Sequence, residues 1–136
     1  MNTFIEQRKD ALLLVARVLL VVLFVLFGWS KLTGFSGTEQ YMAQTGAPVP
    51  ALAAVIAIVM ELAVGIVIAV GFKTRPLALL LAVYTLATAF IGHHFWTQTG
   101  MEHFVNMINF YKNISIAGGL LALAVTGPGA ISIDRK

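Results

Sequence analysis

Residues 51–71 form an apolar run interrupted only by Glu61, close to its centre. About 20 apolar residues rising about 1.5 Å each cross the roughly 30 Å hydrocarbon core of a bilayer, so the run reads as a transmembrane helix. A carboxylate at that depth costs at least about 2.5–3.5 kcal/mol and calls for a counter-charge, a proton, or both. The rest of such a chain has to fold around an answer to that acid.

Three further apolar segments, residues 11–30, 76–92 and 106–126, complete the pattern. The chain is 59% hydrophobic and 11% charged, against about 25% charged residues in soluble domains. Its 136 residues leave room for four spans and short loops. The fold class expected is therefore all-α, a four-helix transmembrane bundle forming a single integral membrane domain over residues 1–136. The first apolar run exceeds the ~7–15 residues of a signal core and lacks a small-residue cleavage site, so it reads as an uncleaved helix. The 32–50 connection closes on Gly46-Ala47-Pro48-Val49-Pro50, where the prolines disfavour helix. Within it Phe35, Tyr41 and Met42 read as a half-buried cap or short interfacial helix. Gly71 and Pro76 bracket a tight basic turn, with glycine ending one helix and proline opening the next.

Arg8, Lys9, Lys73, Arg75, Arg135 and Lys136 fall on one side of the four spans, against Lys31 and Lys112 on the other. The positive-inside rule then places both termini in the cytoplasm, with the 32–50 and 93–104 connections facing outward. The basic residues are scattered at helix ends rather than gathered on one solvent face, so no nucleic-acid partner is expected. The absence of cysteine excludes thiol relays, disulfide exchange and thiolate metal sites.

With this topology Arg17 lies about 9 Å from the inner edge and Glu61 about 15 Å from the outer edge, levels that differ by about 6 Å. Lys112 lies on the other side of Glu61. One buried acid between two bases is the arrangement expected, Arg17 below and Lys112 above. It reads either as an internal clamp that sets helix register or as a polar site for a ligand or proton. Asn106, Asn109 and Asn113 share a helical face by their spacing, as do Thr85, Thr88 and Gly92. These stripes serve interhelical hydrogen bonding or line a cavity. His93, His94, Glu102 and His103 are poorly spaced for a metal, since adjacent helical histidines diverge by about 100°, and no metal is expected.

Several motifs in order carry a family resemblance: Arg17, Phe27-Gly28-x-x-Lys31, Gly34-Phe35, Gly46-Ala47-Pro48, Glu61 and Gly71-Phe72-x-Thr74-Arg75-Pro76. Ile91-Gly92-His93-His94, then residues 106–113, then 126–134 with Gly127-Pro128-Gly129 continue it. With these the chain resembles the DoxX family, and within it a group of bacterial inner-membrane proteins. The resemblance implies four membrane helices, the bacterial inner (cytoplasmic) membrane, and both termini inside. It also implies association with quinone-linked redox complexes, since the family takes its name from a subunit associated with a thiosulfate:quinone oxidoreductase.

Two functional readings follow. In the first the chain is a redox-linked membrane subunit in which Arg17, Lys31, Glu61, His94, Asn109 and Lys112 hold a quinone headgroup or small oxyanion. In the second it is a non-catalytic assembly or stress-response partner whose buried charges only hold the bundle together. The partners expected are the lipid bilayer and membrane or redox proteins. Small residues such as Ala53, Ala57, Gly118 and Ala122 permit close packing within one copy or in a homo-oligomer.

Overall fold

The computed structural model describes residues 2–135 and builds them almost entirely from helix. Met1 and Lys136, the latter part of the basic flank above, lie outside the described residues. The elements are α1 (Asn2–Thr33), α2 (Phe35–Gln44), α3 (Pro50–Val70), α4 (Thr74–Gly92) and α5 (Gly100–Thr126), with no strand among the described residues. Four of them, α1, α3, α4 and α5, are long and apolar enough to cross a membrane. α2 is the short helix foreshadowed by Phe35, Tyr41 and Met42. α1 begins well before residue 11, because residues 2–10 contain neither glycine nor proline to stop it.

The bundle is built for lipid. Leu19, Ile91 and Val125 are 61% exposed or more, which in hydrocarbon carries no penalty. The interior is lined by small residues, with Ala54, Ala57, Ala78, Ala82, Ala89 and Ala117 all buried. Small side chains let helix backbones approach, and packing of that kind takes the place of the hydrophobic drive between helices in a bilayer.

Two glycines fix how α1 and α3 slide past one another. A Cβ on Gly28 would stand 2.6 Å from the Leu62 nitrogen, and one on Gly65 would stand 3.1 Å from Val25 Cγ2. The antiparallel pair is thus locked with 28 against 62 and 25 against 65.

Packing divides the molecule in two. The core cluster of Val21, Phe24, Ile68, Ala78, Leu81, Ala82, Leu120 and Leu123 occupies the half nearer the α3–α4 turn. In the other half the α1–α3 pair and the tightly packed α4–α5 pair separate, and the space between them is covered by α2, which rests on α1 and α3. Where the two halves meet, α3 widens into a π-helical turn over Val59–Ala63. Such turns insert a residue into an α-helix and re-aim its side chains, commonly at functional sites. Glu61 sits at its centre.

At the closed end, Gly71 adopts φ 77° and terminates α3, with Phe72 N–H donating to the Val67 carbonyl at 3.1 Å. Positive φ favours glycine, and Ser132 occupies the place a side chain would need. The C-terminal segment folds back here, Ile133 and Asp134 N–H donating to the Val70 and Gly71 carbonyls at 3.1 Å each.

Candidate functional site

The separation of the two helix pairs leaves a cavity of about 1140 Å³. Its deep end is Glu61. Lys31 Nζ lies 2.6 Å from Glu61 Oε2, and Tyr84 Oη donates to Glu61 Oε1 at 2.8 Å. The ion pair joins α1 to α3, and the tyrosine joins both to α4. Helical side chains lean toward their own N-terminus. Lys31 on α1 therefore reaches down while Glu61 on the antiparallel α3 reaches up, and they meet between their turns. The Lys31 ammonium also lies 5.7 Å from the Phe27 ring centroid, within cation–π range.

Arg17 is not part of this site, which corrects the pairing expected from depth alone. The 28-against-62 register puts Arg17 opposite the turn after α3, about 12 residues or about 18 Å from the level of Glu61. Its side chain also leans away from Glu61, toward the N-terminus of α1. It is 1% exposed and spends its guanidinium on carbonyls: Nε donates to Ala69 O at 2.9 Å, Nη2 to Ile131 O at 2.9 Å, and Nη1 to Pro128 O. Arg17 thus ties α1 to the end of α3 and to the C-terminal segment. Arg75 adds bonds to the carbonyls of Val125 and Thr126, and Asp10 accepts from the Ala130 N–H.

Lys112 lines the cavity but does not reach Glu61; its Nζ donates to Asn109 Oδ1 at 3.0 Å. Asn109 also lines the cavity, and because its oxygen faces the ammonium its NH₂ remains available. Asn113 Nδ2 donates to Thr88 Oγ1 at 3.3 Å, and the Thr88 hydroxyl donates onward to the Thr85 carbonyl, leaving Asn113 Oδ1 as an acceptor. His94 is corrected too: its Nδ1 turns to the Ile91 carbonyl at 2.8 Å, and the histidine on the cavity wall is His93. The chain leaves α4 at Gly92, and His93 (φ -127°, ψ 46°) and His94 (φ -78°, ψ 65°) follow in non-helical backbone that sends their side chains to different partners.

The polar wall therefore collects Lys31, Glu61, Asn109 and Lys112 from the candidate ligand residues of the sequence, and adds Tyr84 and His93, which were not in that set. Tyr84 lies one helical turn from Thr88 on the cavity face, a spacing from which it could have been picked out. Tyr41 on α2 closes over the same space, and its neutral phenol can donate or accept there. The opposite wall is apolar, with Leu23, Phe24, Phe27 and Ile56. Among the described residues no three His, Asp or Glu side chains converge as a metal site, and the ion pair at Glu61 is their one salt bridge. The cavity therefore carries two ammonium groups and one carboxylate. It can offer donors, acceptors and positive charge to the polar end of a ligand and hydrocarbon to the rest.

Comparison with known proteins places the chain. The DoxX family model matches residues 12–94, a stretch that carries Lys31, Glu61, Tyr84 and His93 and stops short of Asn109 and Lys112. Inner membrane protein YphA of Escherichia coli K12 is 59% identical over 94% of this chain and 91% of its own length. Inner membrane protein YqjF of the same organism is 45% identical over 96% of this chain and 95% of its own. ER-derived vesicles protein ERV29 of Saccharomyces cerevisiae is 26% identical across 100% of this chain but only 37% of its own length. No solved structure matches. With a family model covering more than half its length, full-length relatives in the inner membrane and four membrane-spanning helices, the chain belongs to the DoxX family and is a multi-pass inner-membrane protein.

Proposed function

We propose that this chain is a redox-linked membrane subunit whose cavity takes the headgroup of a lipophilic quinone. The observation that carries the reading is the two-sided cavity: a polar wall ending at the Lys31–Glu61–Tyr84 cluster faces an apolar wall from α1 and α3. Its volume of about 1140 Å³ exceeds the ~300–1,000 Å³ of ordinary small-ligand pockets, leaving room for a ring and part of a tail. A quinone supplies carriage of two electrons and two protons within the bilayer. Its carbonyl oxygens need donors, which Lys112 and the Asn109 amide would provide, while Lys31 and Tyr84 hold the Glu61 carboxylate as a proton-exchanging group beside it. The cation-rich wall also suits a small oxyanion, though an oxyanion leaves the apolar wall without a use. On the positive-inside rule the α2 end of the cavity faces outward.

A competing reading is favoured by one contact. The 2.6 Å Lys31–Glu61 pair is short and interhelical, as a clamp in a purely structural assembly or stress-response partner would be. The two part on Glu61→Gln. For a ligand site, the purified protein in lipid nanodiscs binds a short-tailed ubiquinone, detected by titration calorimetry, and Glu61→Gln abolishes binding while the folded yield holds. For a clamp, the same change lowers the unfolding temperature and no binding is seen in either protein. Repeated purification of the wild-type chain with no quinone by mass spectrometry and none bound on titration would sink the proposal.

A further inference from the structure

His93 lines the cavity, and a chain of side-chain amides determines which of its nitrogens is occupied. Its Nδ1 lies 2.9 Å from Asn106 Oδ1. The orientation of that amide is settled by a backbone group. Asn106 Nδ2 donates to the Glu102 carbonyl at 3.2 Å and to Gln98 Oε1 at 2.8 Å, and a backbone carbonyl can only accept. The oxygen of Asn106 therefore faces the imidazole, and Nδ1 carries the hydrogen between them. Gln98 runs in the same sense, its Nε2 donating to Glu102 Oε1 at 3.1 Å. An exposed carboxylate thus anchors a chain, Glu102 to Gln98 to Asn106 to His93, in which every donor points toward the acid. The tautomer of a histidine is set by the bond its other nitrogen makes. With hydrogen on Nδ1, neutral His93 presents a bare lone pair at Nε2, for which the described residues provide no partner. That nitrogen is not sealed in protein either, since the Thr74 hydroxyl alone among the described side chains is buried without a partner.

We infer that His93 is a hydrogen-bond acceptor on the cavity wall, its Nε2 held ready for the O–H of a bound headgroup, so that the site prefers the hydroxyl-bearing, reduced form of its ligand. The inference rests on the quinone reading above and specifies which redox form is favoured. A quinone carbonyl brought to Nε2 sets lone pair against lone pair, whereas a quinol hydroxyl donates to it. Lys112 and the Asn109 amide donate to oxygen in either form, so they do not distinguish the two. Preference between the forms falls to acceptors, and His93 Nε2 is the one whose bare lone pair the amide chain fixes. Glu102, Gln98 and Asn106 act through His93 and are positioning residues.

The test uses the full chain in nanodiscs with a one-isoprenoid ubiquinone and the corresponding ubiquinol under anaerobic conditions. Wild type binds the quinol more tightly. His93→Phe weakens the quinol about tenfold, the scale of one lost hydrogen bond with its partner left unsatisfied, and leaves the quinone within about twofold. Asn106→Leu keeps the imidazole but frees its tautomer, and it erodes the same preference. Nitrogen-15 NMR of histidine-labelled protein without ligand reports a protonated Nδ1 and a bare Nε2 at His93, moving toward Nε2–H in Asn106→Leu. An Nε2–H tautomer in wild type, no preference for the quinol, or equal loss of both forms in His93→Phe overturns the inference while leaving the quinone reading in place. Failure of wild type to bind either form overturns the quinone reading, and the preference with it.

Discussion

Replacing Arg17 by methionine keeps most of its volume and removes all its donors. The guanidinium satisfies three carbonyls on two stretches of chain, Ala69 at the end of α3 and Pro128 and Ile131 in the C-terminal segment, at a position 1% exposed. A buried acceptor left without a partner costs about 1–3 kcal/mol. Ala69 lies at the end of a helix and cannot turn to water, whereas the Pro128 and Ile131 carbonyls can be relieved if the tail swings out. The expected loss is therefore about 3 kcal/mol, the lower end of the range for three acceptors. It should appear first as release of the tail, where the amides of Ala130, Ile133 and Asp134 donate to Asp10, Val70 and Gly71. Hydrogen–deuterium exchange of the C-terminal peptide should accelerate at least tenfold, with a lower unfolding temperature in detergent. A double mutant with Glu61→Gln then separates this geometry from the pairing read off the sequence. Two sites about 18 Å apart should be additive within about 0.5 kcal/mol. Coupling above about 1 kcal/mol, or an unchanged tail, would refute the assignment of Arg17 to the closed end.

Two paired comparisons test the packing and the electrostatics. Gly28→Ala puts a methyl 2.6–2.9 Å from the backbone and Cβ of Leu62, which cannot rotate aside. It should destabilise by about 1–3 kcal/mol, whereas Gly118→Ala, with nothing within 4 Å, should be neutral or gain up to about 1 kcal/mol of helix propensity; thermal scans in one detergent decide. Lys31→Met leaves the Glu61 carboxylate with Tyr84 alone and should cost about 2 kcal/mol, less than a fully buried pair because the Lys31 side chain is 24% exposed. Lys112→Met breaks only its bond to Asn109 and should stay within about 0.5 kcal/mol while lowering quinone affinity. Equal destabilisation by the two lysine changes would remove the distinction drawn between clamp and ligand donor.

The four spans were legible because apolar length is a local property, visible in each run without its neighbours. Glu61 was legible for the same reason: an acid inside such a run needs no partner to be conspicuous. What could not be read was register. Depth arithmetic takes each helix to start at the membrane edge, which brings Arg17 to within about 6 Å of the level of Glu61. Gly28 and Gly65, whose missing side chains admit Leu62 and Val25, set α1 much further along. Nothing in the residue types announces which glycine opposes which neighbour. The choice of His94 over His93 fails for a related reason: both lie past the end of α4 in irregular backbone, whose side-chain directions no periodicity predicts.

Glu61 sits where it does because three local choices agree. The α1–α3 register brings Lys31 down to it, the π-turn at Val59–Ala63 aims it into the space where the helix pairs part, and Tyr84 crosses from α4 to meet it. A clamp alone explains the first of these. It does not explain why the helices separate above the pair, nor why Lys112, Asn109 and His93 face a space of about 1140 Å³ with polar atoms that bond nothing across it. Small residues were available throughout the interior to close that gap, as they close the other half of the bundle around Ala78, Ala82 and Leu120. A bundle that packs tightly at one end and holds polar groups apart at the other has the division expected of a binding protein, with Arg17 and the tail securing the rigid end and Glu61 marking the floor of the other.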